Sequence, residues 1–233
     1  MTAPVLAATP WPTNGHLIAD VARLGYLTVD DHILDPTFER GIWWQEWQPR
    51  YLTTHHRAVD GTDFRDLPYP DAAFDAIAFD PPYVCPGGRK TSTVKPMHQR
   101  YGMNEGGHDD PMFSTPAELQ QIINDGLTEM IRLVKPRQTK NRGGIIVVKC
   151  QNYIWSGALW EGAELTRDHA RALGCDVVDR LEFLTTPGPQ PTVNPDGSPR
   201  RQVHARRNLS TLFVFRAPKA RASQSVLDLG GAA

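Results

Sequence analysis

Cysteine is scarce in this chain. Its 233 residues hold three, Cys85, Cys150 and Cys175, with no CxxC pair among them. That spacing offers no disulfide framework and no thiolate metal site, and it points to a reducing, cytoplasmic setting. No HExxH occurs, and the adjacent His55 and His56 would fall on opposite faces of a strand, so no metal is expected. Long apolar runs are also missing. Nothing approaches the length of a membrane span, and no secretion signal is expected at the start. Neither sign of charge is in excess: 25 Lys and Arg stand against 26 Asp and Glu, a net charge of -1. No global basic field therefore draws the molecule to nucleic acid, and any such contact falls to local patches. Neither GxGxxG nor GxxxxGK(S/T) appears, so nucleotide phosphates are not the evident guest and a nicotinamide oxidoreductase is disfavoured.

What is present suits one medium domain. Hydrophobic residues make up 40% of the chain, enough for a core. We place the domain at 15–216, between a loose arm at 1–14 and a disordered tail at 217–233. Thr13-Asn14 offers cap chemistry for a helix carrying Leu17, Ile18, Val21 and Leu24, stopped at Gly25. His32 to Phe38 reads as a short strand that ends in the Asp35 carboxylate. Trp43, Trp44 and Trp47 share a face of a helical stretch and belong to the core. Tyr51 to His56 reads as a second strand. Thr115, Pro116 and Glu118 form a capping box ahead of an amphipathic helix that ends before Pro136. Ile145 to Lys149 is a near-continuous apolar strand of the kind buried in a parallel sheet. A helix from about Leu159 to Leu173 follows. The strands Val177–Leu184 and Thr211–Phe215 have no helix between them and pair as an antiparallel hairpin.

The stretch that organises the rest is Asp80-Pro81-Pro82-Tyr83. It ends the buried strand Ala76-Ile77-Ala78-Phe79, because proline has no N–H and cannot continue a ladder. Asp80 is thus presented at a strand's carboxyl end, where open α/β sheets bind ligands. Asp35 and Asp63 would share that rim, separated by crossover helices, and three carboxylates together suit a cationic or amine-bearing ligand. The long irregular segment 84–113 leaves directly from Tyr83 and reads as a lid. It carries Arg89 and Lys90. The proline-rich loop 187–208 carries Arg200, Arg201, Arg206 and Arg207, which are candidates for phosphate contact.

The strand–helix alternation with its final strand pair resembles the S-adenosylmethionine-dependent methyltransferase fold: α/β, Rossmann-like, a mostly parallel sheet with an antiparallel C-terminal hairpin strand. Asp80-Pro81-Pro82-Tyr83 is similar to the DPPY signature of the amino-methyltransferases that modify adenine N6 or cytosine N4 in DNA. Asp35 to Gly41 resembles that family's first motif, with Glu39 where a glycine is common. Gly61-Thr62-Asp63-Phe64 resembles the adenine-side motif of the wider fold. No large target-recognition domain is visible, which leaves the lid and the loop 187–208 for that task.

The resemblance implies S-adenosyl-L-methionine as cofactor, DNA as partner, and RNA as the lesser partner. It implies a cofactor site of Asp35, Pro36, Thr37, Phe38, Gly41, Asp63, Phe64 and Asp80, with Asp63 accepting from the cofactor's adenine amine. It assigns catalysis to Asp80, Pro81, Pro82 and Tyr83. Adenine N6 is the first target expected, with cytosine N4 and rRNA guanine N2 as alternatives. A binding module that keeps the fold without turnover is the alternative of another class.

Overall fold

Strand register sets the architecture. The computed structural model describes residues 10–85, 115–139, 143–185 and 207–220, together with 113, 193, 196–199, 201 and 203–205. Its strands are β1 (His32–Asp35), β2 (Tyr51–Thr54), β3 (Ala76–Phe79), β4 (Ile145–Gln151), β5 (Tyr153–Trp155), β6 (Ala158–Trp160), β7 (Asp176–Leu184) and β8 (Leu209–Arg216). Six of them form one sheet in the order β2-β1-β3-β4-β8-β7. The pairs β1–β2, β1–β3 and β3–β4 are parallel, and β8 runs antiparallel to both β4 and β7. This is the Rossmann-like α/β sheet, mostly parallel with an antiparallel C-terminal strand, that the resemblance implied. The chain passes from β1 to one neighbour and then to the other, so a crevice opens beyond the carboxyl ends of β1 and β3.

Both faces of the sheet are covered, which explains the unbroken apolar runs of β3 and β4. On one face Ile33, Ala76, Ala78, Ile145, Val147, Leu212 and Val214 pack under α1 (Asn14–Arg23) and Trp43–Trp44. On the other, Leu34, Ile77, Phe79, Ile146, Val148, Phe213 and Phe215 meet α3 (Pro116–Leu133) and α4 (Gly162–Ala172). The caps are those read from sequence. The Thr13 side chain accepts from His16 N, and Thr115 and Glu118 close a reciprocal capping box. No helix among the described residues is long and apolar enough to cross a membrane.

Three local expectations need correction. The tryptophan stretch is one 3-10 turn, Ile42–Trp44, entered through Gly41 in the left-handed region; Trp43 and Trp44 are buried and Trp47 partly so. The helix expected from Leu159 begins at Gly162, because β5 and β6 form an antiparallel hairpin first. Its turn residues Ser156 and Gly157 both have positive φ, as tight hairpins require. Finally, β2 ends at Thr54, where His55 and His56 turn into the four-residue α2 (Arg57–Asp60). That turn and the 3-10 turn stand where crossover helices were expected in this half of the sheet.

Candidate active site

Alternation at period two builds the site. Ile33 and Ala76 are partners across β1 and β3, and Phe79 and Val148 across β3 and β4. Carried forward by that register, Asp35, Asp80 and Lys149 end three neighbouring rows on the face under α1. Each row is apolar below and polar at its carboxyl end. The three residues line one cleft of about 450 Å³ with Asn14, Thr37, Glu39, Gly41, Trp43, Pro81, Pro82 and Tyr83. That volume is typical of a small-molecule site.

Asp35 is buried and well partnered. It accepts from Trp44 Nε1 at 2.7 Å, from Thr37 N at 3.0 Å and from Thr37 Oγ1 at 3.3 Å. The Thr37 hydroxyl in turn accepts from Asp80 N at 2.8 Å, so one side chain ties the ends of β1 and β3 together. Burial is the main cause that pushes the Asp35 carboxyl up to about 7; its hydrogen bonds oppose this and the Asp80 charge adds to it. Asp80 is also raised, by burial first, with Lys149 and Trp43 pulling it back. Trp43 Nε1 faces the Asp80 carboxylate, yet neither that nitrogen nor Asp80 Oδ1, both buried, closes a hydrogen bond. A buried acceptor without a donor is costly, and a ligand N–H would relieve it.

The third acid is Glu39, at the position where glycine is common in the first motif. It stands at the cleft rim with its carboxyl raised to about 7, by desolvation first and then by the Asp80 charge. Water reaches the residue and screens much of this. Asp63 is elsewhere. Arg65 Nε and Nη2 grip both its oxygens, at 3.0 Å and 2.6 Å, and Arg57 Nη1 adds a contact at 3.2 Å. These arginines hold its carboxyl down at about 2 and occupy the acceptor that a cofactor amine would need.

The structure gathers Asp35, Thr37, Gly41, Asp80, Pro81, Pro82 and Tyr83 at the cleft. It does not bring Pro36, Phe38, Asp63 or Phe64 there. Pro36 is buried, and the Phe38 ring packs beneath Gly41. Phe64 lies in the core, edge-to-face with Phe79 at 5.2 Å. Arg201 and Arg207 are exposed, while Arg89, Lys90, Arg200 and Arg206 lie outside the described residues, as do most of 84–113 and much of 187–208. Asn14, Trp43 and Lys149 were missed as site residues. Lys149 alone left a signal, a charge closing an apolar strand.

The cleft fits one end of the implied cofactor. Gly41, which lines the cavity, has φ +63°, and a Cβ there would meet the Phe38 ring at 2.8 Å, so the turn needs glycine at this position. Three carboxyl groups and an unpartnered acceptor suit a cation. Asp60, just past β2, is already engaged: it accepts from His55 Nδ1, His56 N and Thr62 N.

No family model and no curated protein matches the chain. Among solved structures, a Thermus thermophilus protein provisionally named a DNA modification methylase superposes with a TM-score of 0.42 at 13% identity, over 71% of this chain and 56% of its own. The cyclase SpnF superposes at 0.45 and 15% identity, over 88% and 82%. A Thermoplasma acidophilum protein gives 0.43 and 11%, over 87% and 88%. This chain spans little more than half the length of the methylase. Likeness of this degree assigns neither activity nor ligand, so the chemistry rests on the residues in the cleft.

Proposed function

We propose that this chain is an S-adenosylmethionine-dependent methyltransferase that acts on an exocyclic amine of DNA, adenine N6 first, in the cytoplasm. The observation that carries the reading is Asp80 Oδ1. It is buried and unpartnered among the described residues, at the carboxyl end of β3, in the cleft that Gly41 and Asp35 share.

An exocyclic amine is a poor nucleophile because its lone pair is delocalised into the ring. Asp80 and the Pro81 carbonyl would accept its two hydrogens and localise that pair on nitrogen. Pro82 holds the turn so that the acceptors stay aimed, and Tyr83 would stack on the base, worth about 1–3 kcal/mol. The cofactor would supply an electrophilic methyl group, its S–CH3 bond breaking to leave a neutral thioether as the N–CH3 bond forms, and the proton released from the amine would pass to solvent after transfer; the turn Asp35–Gly41 would hold its methionine end. The gain is one of positioning and aligned charge. A duplex hides the amine, so the base must be extruded or the substrate single-stranded. Exposed Arg201 and Arg207 offer phosphate contacts, which would make binding fall steeply with salt.

The test is transfer of a labelled methyl group to duplex DNA, single-stranded DNA and rRNA, with the modified nucleoside identified. N6-methyladenine from DNA is expected. Asp80→Ala should lower the rate about a hundredfold or more while cofactor affinity stays nearly unchanged. An active Asp80→Ala protein would sink the reading. Cofactor binding by calorimetry with no transfer to any nucleic acid would favour a binding module instead.

A further inference from the structure

Lys149 is buried at 4% exposure, in a strand whose other buried side chains are mostly apolar. Buried lysines are rare unless paired, because the ammonium loses its water. This ammonium has three donors. Among the described residues it makes one hydrogen bond, to Asn14 Oδ1 at 2.9 Å, and that partner is neutral. Two ring faces also stand near it: Nζ lies 5.6 Å from the Tyr83 centroid and 5.3 Å from that of Phe183. The carboxylate nearest in register is Asp80, one residue past the Phe79–Val148 pair and on the same face.

We propose that Lys149 is a positioning residue of this cleft: held by Asn14, it serves as the counter-charge of Asp80 and as the platform that orients the Tyr83 ring. The role rests on the reading of Asp80 as the acceptor of an amine hydrogen. A neutral carboxyl group would present an O–H to the amine and lose acceptor capacity. The surroundings pull Asp80 both ways. Burial opposes its ionisation, and its charge in turn raises Asp35 on β1 and Glu39 on the turn after it. From the 3-10 turn the Trp43 N–H favours ionisation, and from β4 Lys149 favours it more strongly. Arg40 lines the rim. Without Lys149, burial would act on Asp80 with the Trp43 indole as the remaining cause that favours its charge. Asn14 joins α1 to this device, so the first helix of the domain helps set the charge at the end of β3.

The test follows the Asp80 carboxyl itself, by carbon-13 NMR of protein labelled at aspartate, with Asp80→Asn to assign its signal. Lys149→Met keeps the stem and removes the charge. Replacing a buried charge by an apolar side chain is often neutral for folding, and Lys149→Arg provides a second variant. Lys149→Met should move the Asp80 midpoint up by about one to three pH units, and Lys149→Arg should restore most of it. The acid limb of the methyl-transfer pH profile should move with it, about tenfold in rate per unit below the midpoint. An Asp80 midpoint unmoved in folded Lys149→Met protein overturns the proposal. A moved midpoint in a protein that methylates no nucleic acid supports the charge pairing and overturns the functional reading, so the two failures are distinct.

Discussion

Gly41 and Asp63 illustrate how much single residues decide. Gly41 sits at φ +63° with the Phe38 ring directly where a Cβ would go. An alanine there bears left-handed strain of about 1–2 kcal/mol and must displace the ring. Gly41→Ala should lower the melting temperature by about 3–8 °C and weaken cofactor binding, both measurable by thermal shift with and without the cofactor. Asp63 is held by Arg65 and Arg57. Its depressed carboxyl contributes stability that is present above its usual value of 3.8 and lost as pH falls through about 2. Asp63→Asn should therefore destabilise the protein at neutral pH while leaving cofactor affinity within about threefold, by calorimetry, if the arginines rather than the cofactor are its partners. A loss of affinity well beyond that would return Asp63 to the cofactor site.

Elements are aligned by a few cross-chain ties. Thr37 links the ends of β1 and β3, and the parallel register of β3 and β4 brings Asp80 and Lys149 side by side. On the opposite face Arg132 of α3 reaches the loop ahead of β3. It donates to the carbonyls of Tyr69 and Leu67 and to the carboxylates of Asp71 and Glu129, and Glu129 Oε1 also accepts from Leu67 N. Arg132→Ala leaves a buried carboxylate and two carbonyls short of donors. It should cost about 2–3 kcal/mol by denaturant unfolding, with faster hydrogen exchange at the Leu67 amide. An unchanged exchange rate there would show that the loop does not depend on the clamp.

For the whole molecule, the cleft makes stability and ligand binding depend on pH in opposite directions. Asp35 is raised from 3.8 to about 7 in the folded state. A raised carboxyl group contributes stability that is fully present below about pH 4 and is lost as pH rises through about 7. The melting temperature should thus fall between about pH 4 and about pH 7.5, and Asp35→Asn should flatten that slope. A cationic cofactor favours the ionised carboxylates, so its binding should release protons and tighten as pH rises from about 6 to about 8. Calorimetry in two buffers of different ionisation heat checks this; no proton release would argue against the acids as its site.

Features that depend on near neighbours were legible along the chain. Apolar runs ended by Asp or Pro marked β1 and β3, Thr13 and Thr115 marked two helix starts, and Asp80-Pro81-Pro82-Tyr83 marked where the sheet's chemistry would lie. These are local effects of propensity, capping and missing N–H groups. The hairpin of β5 and β6 escaped because its short aromatic runs also fit a helix, and its Ser156-Gly157 turn needed positive φ that composition does not display. Which charges share the cleft depended on long-range packing. Glu39 and Lys149 entered it, and Asp63 left it for two arginines, because strand register and side-chain pairing across the fold set the distance between charges. That distance, more than residue type, determines which groups act together.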